Sequence, residues 1–204
     1  MSKIILMRHG QTEWNLEKRF QGSGDSPLTD EGLQQAVLVS KKLEKCNIKA
    51  IYSSPRKRAV ETAIPISQRL SLPVHKKPGL GEIALGKWEG KTYNEIKTLY
   101  PLEYQAFFHD PTSFSGVDGG ETLIEVRDRA VKVVEEIALT HLNNTVLIVS
   151  HAITIRLLLI HYMNAPLIEL WKVADITQTS LSKIDFSGHL RRVTMLGNSD
   201  HLHV

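Results

Sequence analysis

Short apolar runs alternate along this chain with longer stretches in which apolar positions recur every three or four residues. That is the pattern of buried strands and amphipathic helices in an α/β domain. Residues 4–7 form an apolar run that stops at Arg8 and predict a strand. After a polar stretch over 10–27, Leu33, Ala36, Val37, Ser40 and Leu43 fall at helical spacing and predict a helix of about 14 residues behind Thr29. Residues 49–53 read as a second strand, and Ser54-Pro55 as an N-cap with proline at the first helical position. The helix it opens carries Ala59, Ala63, Ile66 and Leu70 on one face, and 74–76 read as a short strand. Thr122 and Glu125 are spaced as a capping box, from which Leu123, Val126, Ala130, Val133, Val134 and Ile137 continue a long helix. Residues 146–149 are the most apolar strand, followed by a helix over about 152–162. Two strands over 180–186 and 190–195, joined at Ser187-Gly188, complete the pattern, and the residues after 197 read as loose.

One stretch departs from this rhythm. Residues 91–118 crowd Tyr93, Tyr100, Tyr104, Phe107, Phe108 and Phe114 among prolines and charges. They read as short helices forming a cap within a single domain spanning 1–204. With 42% hydrophobic and 23% charged residues, the chain has the apolar content for a full core, which excludes a disordered protein.

Charge narrows the partners. The 25 Lys and Arg against 22 Asp and Glu leave a net +3, too little to argue for nucleic acid, whereas a small anionic metabolite fits. The lone Cys46 permits no internal disulfide and no cysteine zinc site, as expected of a reducing, cytoplasmic setting. Four apolar residues between Lys3 and Arg8 are too few for a signal-peptide core. No run approaches the ~20 apolar residues of a membrane span, so no membrane partner is expected. Oligomeric state is unreadable from this pattern.

The candidate chemistry converges on one sheet edge. In open α/β sheets, sites lie at the carboxyl ends of strands. Arg8-His9-Gly10 follows the first strand, and Ser150-His151-Ala152 follows the strand ending at Val149. Arg58 lies in the first turn of the helix after the second strand, and His151 opens another helix. Both therefore sit where helix N–H groups favour an anion. The planar donor fork of arginine suits phosphoryl oxygens better than a lysine ammonium does.

The segment Arg8-His9-Gly10-Gln11-Thr12-Glu13-Trp14-Asn15 resembles the signature of the histidine phosphatase superfamily, also called phosphoglycerate-mutase-like. The resemblance continues in family order through Phe20-Gln21-Gly22, Asp25 to Thr29, Ser53-Ser54-Pro55, Arg58-Ala59, Glu61-Thr62-Ala63, Leu80 to Ile83, Gly86 to Gly90, Gly119 to Thr122 and Ser150-His151. Arg-His-Gly alone is a weak signal, and the ordered set covering nearly the whole chain is a strong one. The resemblance implies a three-layer α/β/α sandwich with a mostly parallel central sheet. It also implies a metal-independent phosphomonoesterase acting on small phosphorylated metabolites, with no cofactor. His9 would be the nucleophile and form a phosphohistidine. Arg8, Arg58, Asn15 and His151 would surround the phosphoryl oxygens, His151 as a further cationic donor if protonated. Glu82 would be acid and base. Gln21 and Gly22 would touch phosphate or substrate, Thr12 would add a hydroxyl donor, and Ala152 would stand at the helix start where many members have glycine.

Among the family's reactions, the short stretch between Gly90 and Gly119 favours the compact broad-specificity phosphatases of the PhoE type. A cofactor-dependent phosphoglycerate mutase or an α-ribazole phosphatase is the alternative. An aromatic cap suits varied phosphomonoesters, with Phe107 and Phe114 expected to shape their selection. An inactive module that binds phosphorylated ligands is the rival from another class, and it would need neither His9 nor Glu82. Asp25, Thr29, Glu121, Thr122 and Glu125 read as structural. His189, His201 and His203 read as solvated, with His201 and His203 too few to fix a metal.

Overall fold

A computed structural model describes residues 1–202. Its strands are β1 (Ser2–Arg8), β2 (Ile48–Ser53), β3 (Val74–Lys76), β4 (Thr145–Ser150), β5 (Leu181–Ser187) and β6 (Leu190–Asn198). They form one sheet in the order β3-β2-β4-β1-β5-β6. The first four of that order run parallel, and β5 and β6 are antiparallel additions at one side.

The central strands are apolar on both faces because both are covered. Ile4, Leu6, Val146 and Ile148 pack in one layer with α6 (Leu123–Thr140) and α7 (Ala152–Tyr162). Their neighbours Ile5, Met7, Leu147 and Val149 pack in the opposite layer with α2 (Asp30–Leu43) and α3 (Lys57–Leu70). Each fully buried side chain of this size contributes about 1.5–3 kcal/mol. The expected sandwich with a mostly parallel sheet is thus what forms.

Connectivity places the site. From β1 the chain crosses by α2 to β2 on one side of the sheet, and from β4 it crosses by α7 to β5 on the other. The two crossovers diverge between β1 and β4, opening a crevice at their carboxyl ends. Register aligns Arg8 with Ser150, and the His9 N–H donates to the Ser150 carbonyl at 3.0 Å.

Helix starts follow their caps. Thr29 caps α2, Thr122 and Glu125 form the expected capping box on α6, and Thr12 with Asn15 forms another on the short α1 (Glu13–Leu16). The start of α3 differs from expectation. It begins at Lys57 after an N-cap at Arg56, and the backbone N–H groups of Lys57 and Arg58 donate to the Asp25 carboxylate instead of to Ser54. A carboxylate at a helix N-terminus outcompetes a hydroxyl because it also meets the helix dipole.

Residues 91–118 contain α4 (Tyr93–Leu99) and α5 (Pro101–His109). Phe107 and Phe114 are buried with Trp88 in an aromatic cluster and do not line the cleft, so they bear on substrate selection only through the packing behind it. The end of the described chain also differs from the loose tail expected. Asp200–Leu202 form a tight turn, and His201 is buried with its Nε2 3.0 Å from the Thr179 hydroxyl, not solvated. His203 lies outside the described residues, and His189 is exposed as expected. Among the described residues no helix is long and apolar enough to cross a membrane.

The loop after β1 is pressed onto the first turn of α2. A Cβ on Gly32 would lie 2.1 Å from the Gln11 carbonyl oxygen, and one on Gly10 would lie 2.6 Å from that of Gly32. Gly32→Ala therefore has to push the His9 loop away, and a loss of about 1–3 kcal/mol is expected in urea unfolding. An unchanged midpoint would show that the loop has slack that this packing denies.

Candidate active site

The crevice is a cleft of about 270 Å³ lined by Arg8, His9, Asn15, Gln21, Gly22, Arg58, Glu82 and Ala152, among others. Eight of the ten residues singled out in the sequence thus share one surface. Thr12 and His151 lie behind it, both fully buried.

His9 is 3% exposed, and its Nδ1 is 2.7 Å from the Gly10 carbonyl oxygen. A carbonyl only accepts, so Nδ1 carries the ring proton and Nε2 keeps its lone pair. Burial, and then the charges of Arg58 and Arg8, push the His9 pKa well below the ordinary imidazole value. The ring is therefore neutral. Gly10 is itself fixed, its N–H donating to the Thr62 hydroxyl, which donates to the Arg58 carbonyl.

Arg58, 1% exposed, donates from Nη2 to the Gly22 carbonyl and from Nη1 to the Gly24 carbonyl and the Asp25 carboxylate at 3.0 Å. It thereby ties the 22–25 loop to α3. Glu89, which the sequence reading passed over, holds the same loop from outside, accepting from the N–H groups of Ser23 and Gly24 and from the Ser23 hydroxyl. Gly22 is required here because its φ is +53° and a Cβ would lie 2.4 Å from a Glu89 carboxylate oxygen.

Glu82 sits at the start of α7. Its carboxylate accepts from the N–H groups of Ile153 and Thr154 and from the Thr154 hydroxyl, at 3.1–3.2 Å. Arg129 of α6 clamps the backbone on which Glu82 stands, donating to the carbonyls of Gly79, Gly81 and Glu82, and is itself held by Glu121 at 2.7 Å. The structural reading of Glu121 thereby acquires a specific partner.

Thr12 does not present a hydroxyl to the cleft. Its Oγ accepts from the Asn15 N–H and from Gln21 Nε2 at 2.7 Å, so it aims two lining residues instead. The Asn15 amide oxygen accepts from the Thr12 N–H, which turns its NH2 group into the donor available for a ligand. Ala152 is the first residue of α7 and lines the cleft, so alanine is accommodated where glycine is common.

His151 packs its ring against His9, with centroids 5.2 Å apart, and its Nε2 is 2.8 Å from the Ser54 hydroxyl. That hydroxyl also accepts from the Arg56 N–H, which fixes it between the start of α3 and the His151 ring. Burial, and then Arg58, His9 and Arg8, hold the His151 pKa well below the ordinary value. His151 is therefore a neutral ring, so the cationic role conditional on its protonation is not supplied by the protein's own groups.

Among the described residues, no protein partner meets Arg8 Nε, Arg58 Nε, His151 Nδ1 or Gln21 Oε1, all buried. Two of these four are guanidinium donors whose charge acts on His9. Burial lowers the pKa of both arginines, and a guanidinium stays charged in proteins. The arrangement can bind a small anion and present it to the His9 Nε2 lone pair.

Sequence reasoning missed part of the far wall, where Arg19, Arg156 and Trp171 line the cleft beside Phe20 and the cap aromatics Tyr93 and Phe108. Of these, Arg156 had a usable signal, because it lies four residues beyond Ala152 on the same helix face. Neutral His9 and His151 also fix a pH dependence. An unfolded chain takes up protons on both rings below about pH 6.5 while the folded chain resists. Stability is then full above that pH and falls below it, by at most about 1.4 kcal/mol per pH unit for each ring. Urea midpoints measured from pH 7.5 to 5 are expected to drop more steeply for the wild type than for His151→Asn, and parallel slopes would contradict the burial of a neutral His151.

Comparison with known proteins agrees with this geometry. The model of the histidine phosphatase superfamily (branch 1) matches residues 4–199. Phosphoserine phosphatase 1 of Hydrogenobacter thermophilus is 34% identical over 171 residues, covering 84% of this chain and 81% of that protein. YhfR of Bacillus stearothermophilus has the same fold with a TM-score of 0.95 at 36% identity, over 99% of this chain and 100% of that one. A mutant phosphoserine phosphatase from Entamoeba histolytica in complex with phosphoserine gives a TM-score of 0.88 at 30% identity, over 99% and 100% of the two chains. With the motifs in order, the fold matched end to end and the cleft built from those motifs, this chain belongs to branch 1 of the histidine phosphatase superfamily.

Proposed function

We propose that the chain is a metal-independent phosphomonoesterase that hydrolyses small phosphorylated metabolites through a phosphohistidine on His9. The observation that carries this reading is a neutral His9 with its Nδ1 proton bound to Gly10, facing a cleft ringed by donors that lack partners. Binding alone needs the donors but not the free lone pair, which argues against an inactive ligand-binding module.

The steps follow from the geometry. A phosphoryl group docks on Arg8, Arg58, Asn15, Gln21 and the Gly22 backbone, with guanidinium groups supplying the charge that stabilises the transition state. His9 Nε2 attacks phosphorus as the ester P–O bond breaks. Glu82 gives its proton to the departing oxygen, and its carboxylate then takes a proton from the water that cleaves the N–P bond. Phosphate leaves and the His9 lone pair is restored. A dianionic phosphoryl group also favours a proton on His151, countering the burial and the neighbouring positive charge that keep its ring neutral.

The whole chain, 1–204, acts as one catalytic domain in the cytoplasm, and 91–118 form a helical cap over the cleft. Tyr93 and Phe108 from this cap, with Phe20 and Trp171, give the leaving group an aromatic wall that tolerates varied skeletons. Relatives named phosphoserine phosphatase lie on the hydrolytic side of the choice between hydrolysis and isomerisation.

Phosphate release from p-nitrophenyl phosphate and 3-phosphoglycerate in EDTA tests the reading, with 2-phosphoglycerate followed in parallel and the bisphosphorylated cofactor present or absent. Release without isomerisation is expected, and cofactor-stimulated isomerisation would make the chain a mutase. Glu82→Gln is expected to slow alkyl phosphates by about 10²–10⁴-fold and nitrophenyl phosphate much less, because nitrophenolate leaves without a proton. Equal losses on both would remove Glu82 as the acid.

A further inference from the structure

The cations of the cleft are not equally committed. Arg58 is hydrogen-bonded to Asp25 at 3.0 Å, and Arg19 to Glu17 at 2.5 Å. Arg156 is different. Its side chain is 13% exposed, and the nearest carboxylate oxygen, on Asp175, is 3.8 Å away on a side chain that is 93% exposed. Its Nη1 reaches the Leu170 and Trp171 carbonyls only at 3.4 Å, and its guanidinium carbon lies 5.8 Å from the centre of the Trp171 ring. This is a largely desolvated cation with a distant, water-screened counter-charge, held by an aromatic ring that leaves donors available.

Its place in the cleft gives it a ligand. Arg156 stands about one helical turn beyond Ala152, roughly 6 Å along the α7 axis from the end that meets the phosphoryl group. Its charge is felt by Arg8, beside His9. A phosphoryl dianion is served by Arg8 and Arg58, which leaves Arg156 to whatever the ester oxygen carries. One planar guanidinium matches one planar carboxylate, whereas a second phosphate dianion calls for more positive charge than the far wall has uncommitted.

We propose that Arg156 is the residue that selects the leaving group, by binding a carboxylate on the substrate's carbon skeleton, so that phosphomonoesters of small hydroxy acids are preferred. The proposal rests on the phosphatase reading and refines it. Arg156 works on the part of the substrate that departs, with the aromatic wall closing on the carbons between.

The test compares kcat/KM for two pairs of substrates that differ at the carboxylate. One pair is phosphoserine and phosphoethanolamine, the other 3-phosphoglycerate and glycerol 3-phosphate. The intact wild-type chain is expected to prefer the carboxylate member of each pair. In Arg156→Gln that preference ratio is expected to fall about tenfold or more, chiefly through KM, and Arg156→Lys is expected to recover part of it. Because the readout is a ratio, a general loss of folded enzyme does not move it. A ratio unchanged in both variants, or a wild type that prefers the carboxylate-free member or a bisphosphate, would overturn the proposal. Hydrolysis of p-nitrophenyl phosphate by the wild type separates the two levels, since its absence overturns the phosphatase reading itself.

Discussion

Positive charge buried without enough bonded counter-charge is the constraint on which this molecule depends. Arg8 and Arg58 meet beside His9 with guanidinium nitrogens that no protein group satisfies, and a buried ionised donor in that condition costs several kcal/mol. On the phosphatase reading the missing partner is the phosphoryl group. Burial, reinforced by the same charges, keeps His9 and His151 from taking up protons. One arrangement thus favours an anion and leaves the proposed nucleophile with a free lone pair.

Holding such a site together falls to carboxylates placed just outside it. Asp25 caps α3 and pairs with Arg58, Glu89 gathers the 22–24 loop, and Glu121 anchors Arg129, which clamps the backbone at Glu82. Asp25 and Glu89 lie far in sequence from the groups they steady. Glu82 has two roles built into one position, because the carboxylate that meets the cleft also caps the helix that His151 and Ala152 open. Moving it would disturb the helix start and the phosphoryl site together.

Much of this was legible in the sequence because the signals were local. The apolar run over 4–7, the strand before Ser150, the Thr29 cap and the Thr122–Glu125 box place elements to within a few residues. The ordered motifs then bring eight of ten chosen residues to one cleft. What escaped depends on contacts between distant segments. Ser54 has the form of a helix cap, yet Asp25 takes that task and frees its hydroxyl for His151. Thr12 has the form of a donor to substrate, yet it is buried holding Gln21. Phe107 and Phe114 cannot be told from pocket aromatics by composition, and only the packing puts them in the core and Phe108 at the wall. Arg156 matters because Trp171 and Asp175 arrive beside it from a later loop.

The central claim is that His9 Nε2 accepts the phosphoryl group. The most direct measurement is rapid denaturation of the enzyme during turnover of phosphate-labelled substrate, followed by peptide mapping of the label. The account predicts acid-labile, base-stable label on the peptide containing His9 and none in His9→Ala. Label on another residue, or label that survives in the His9→Ala chain, would contradict it.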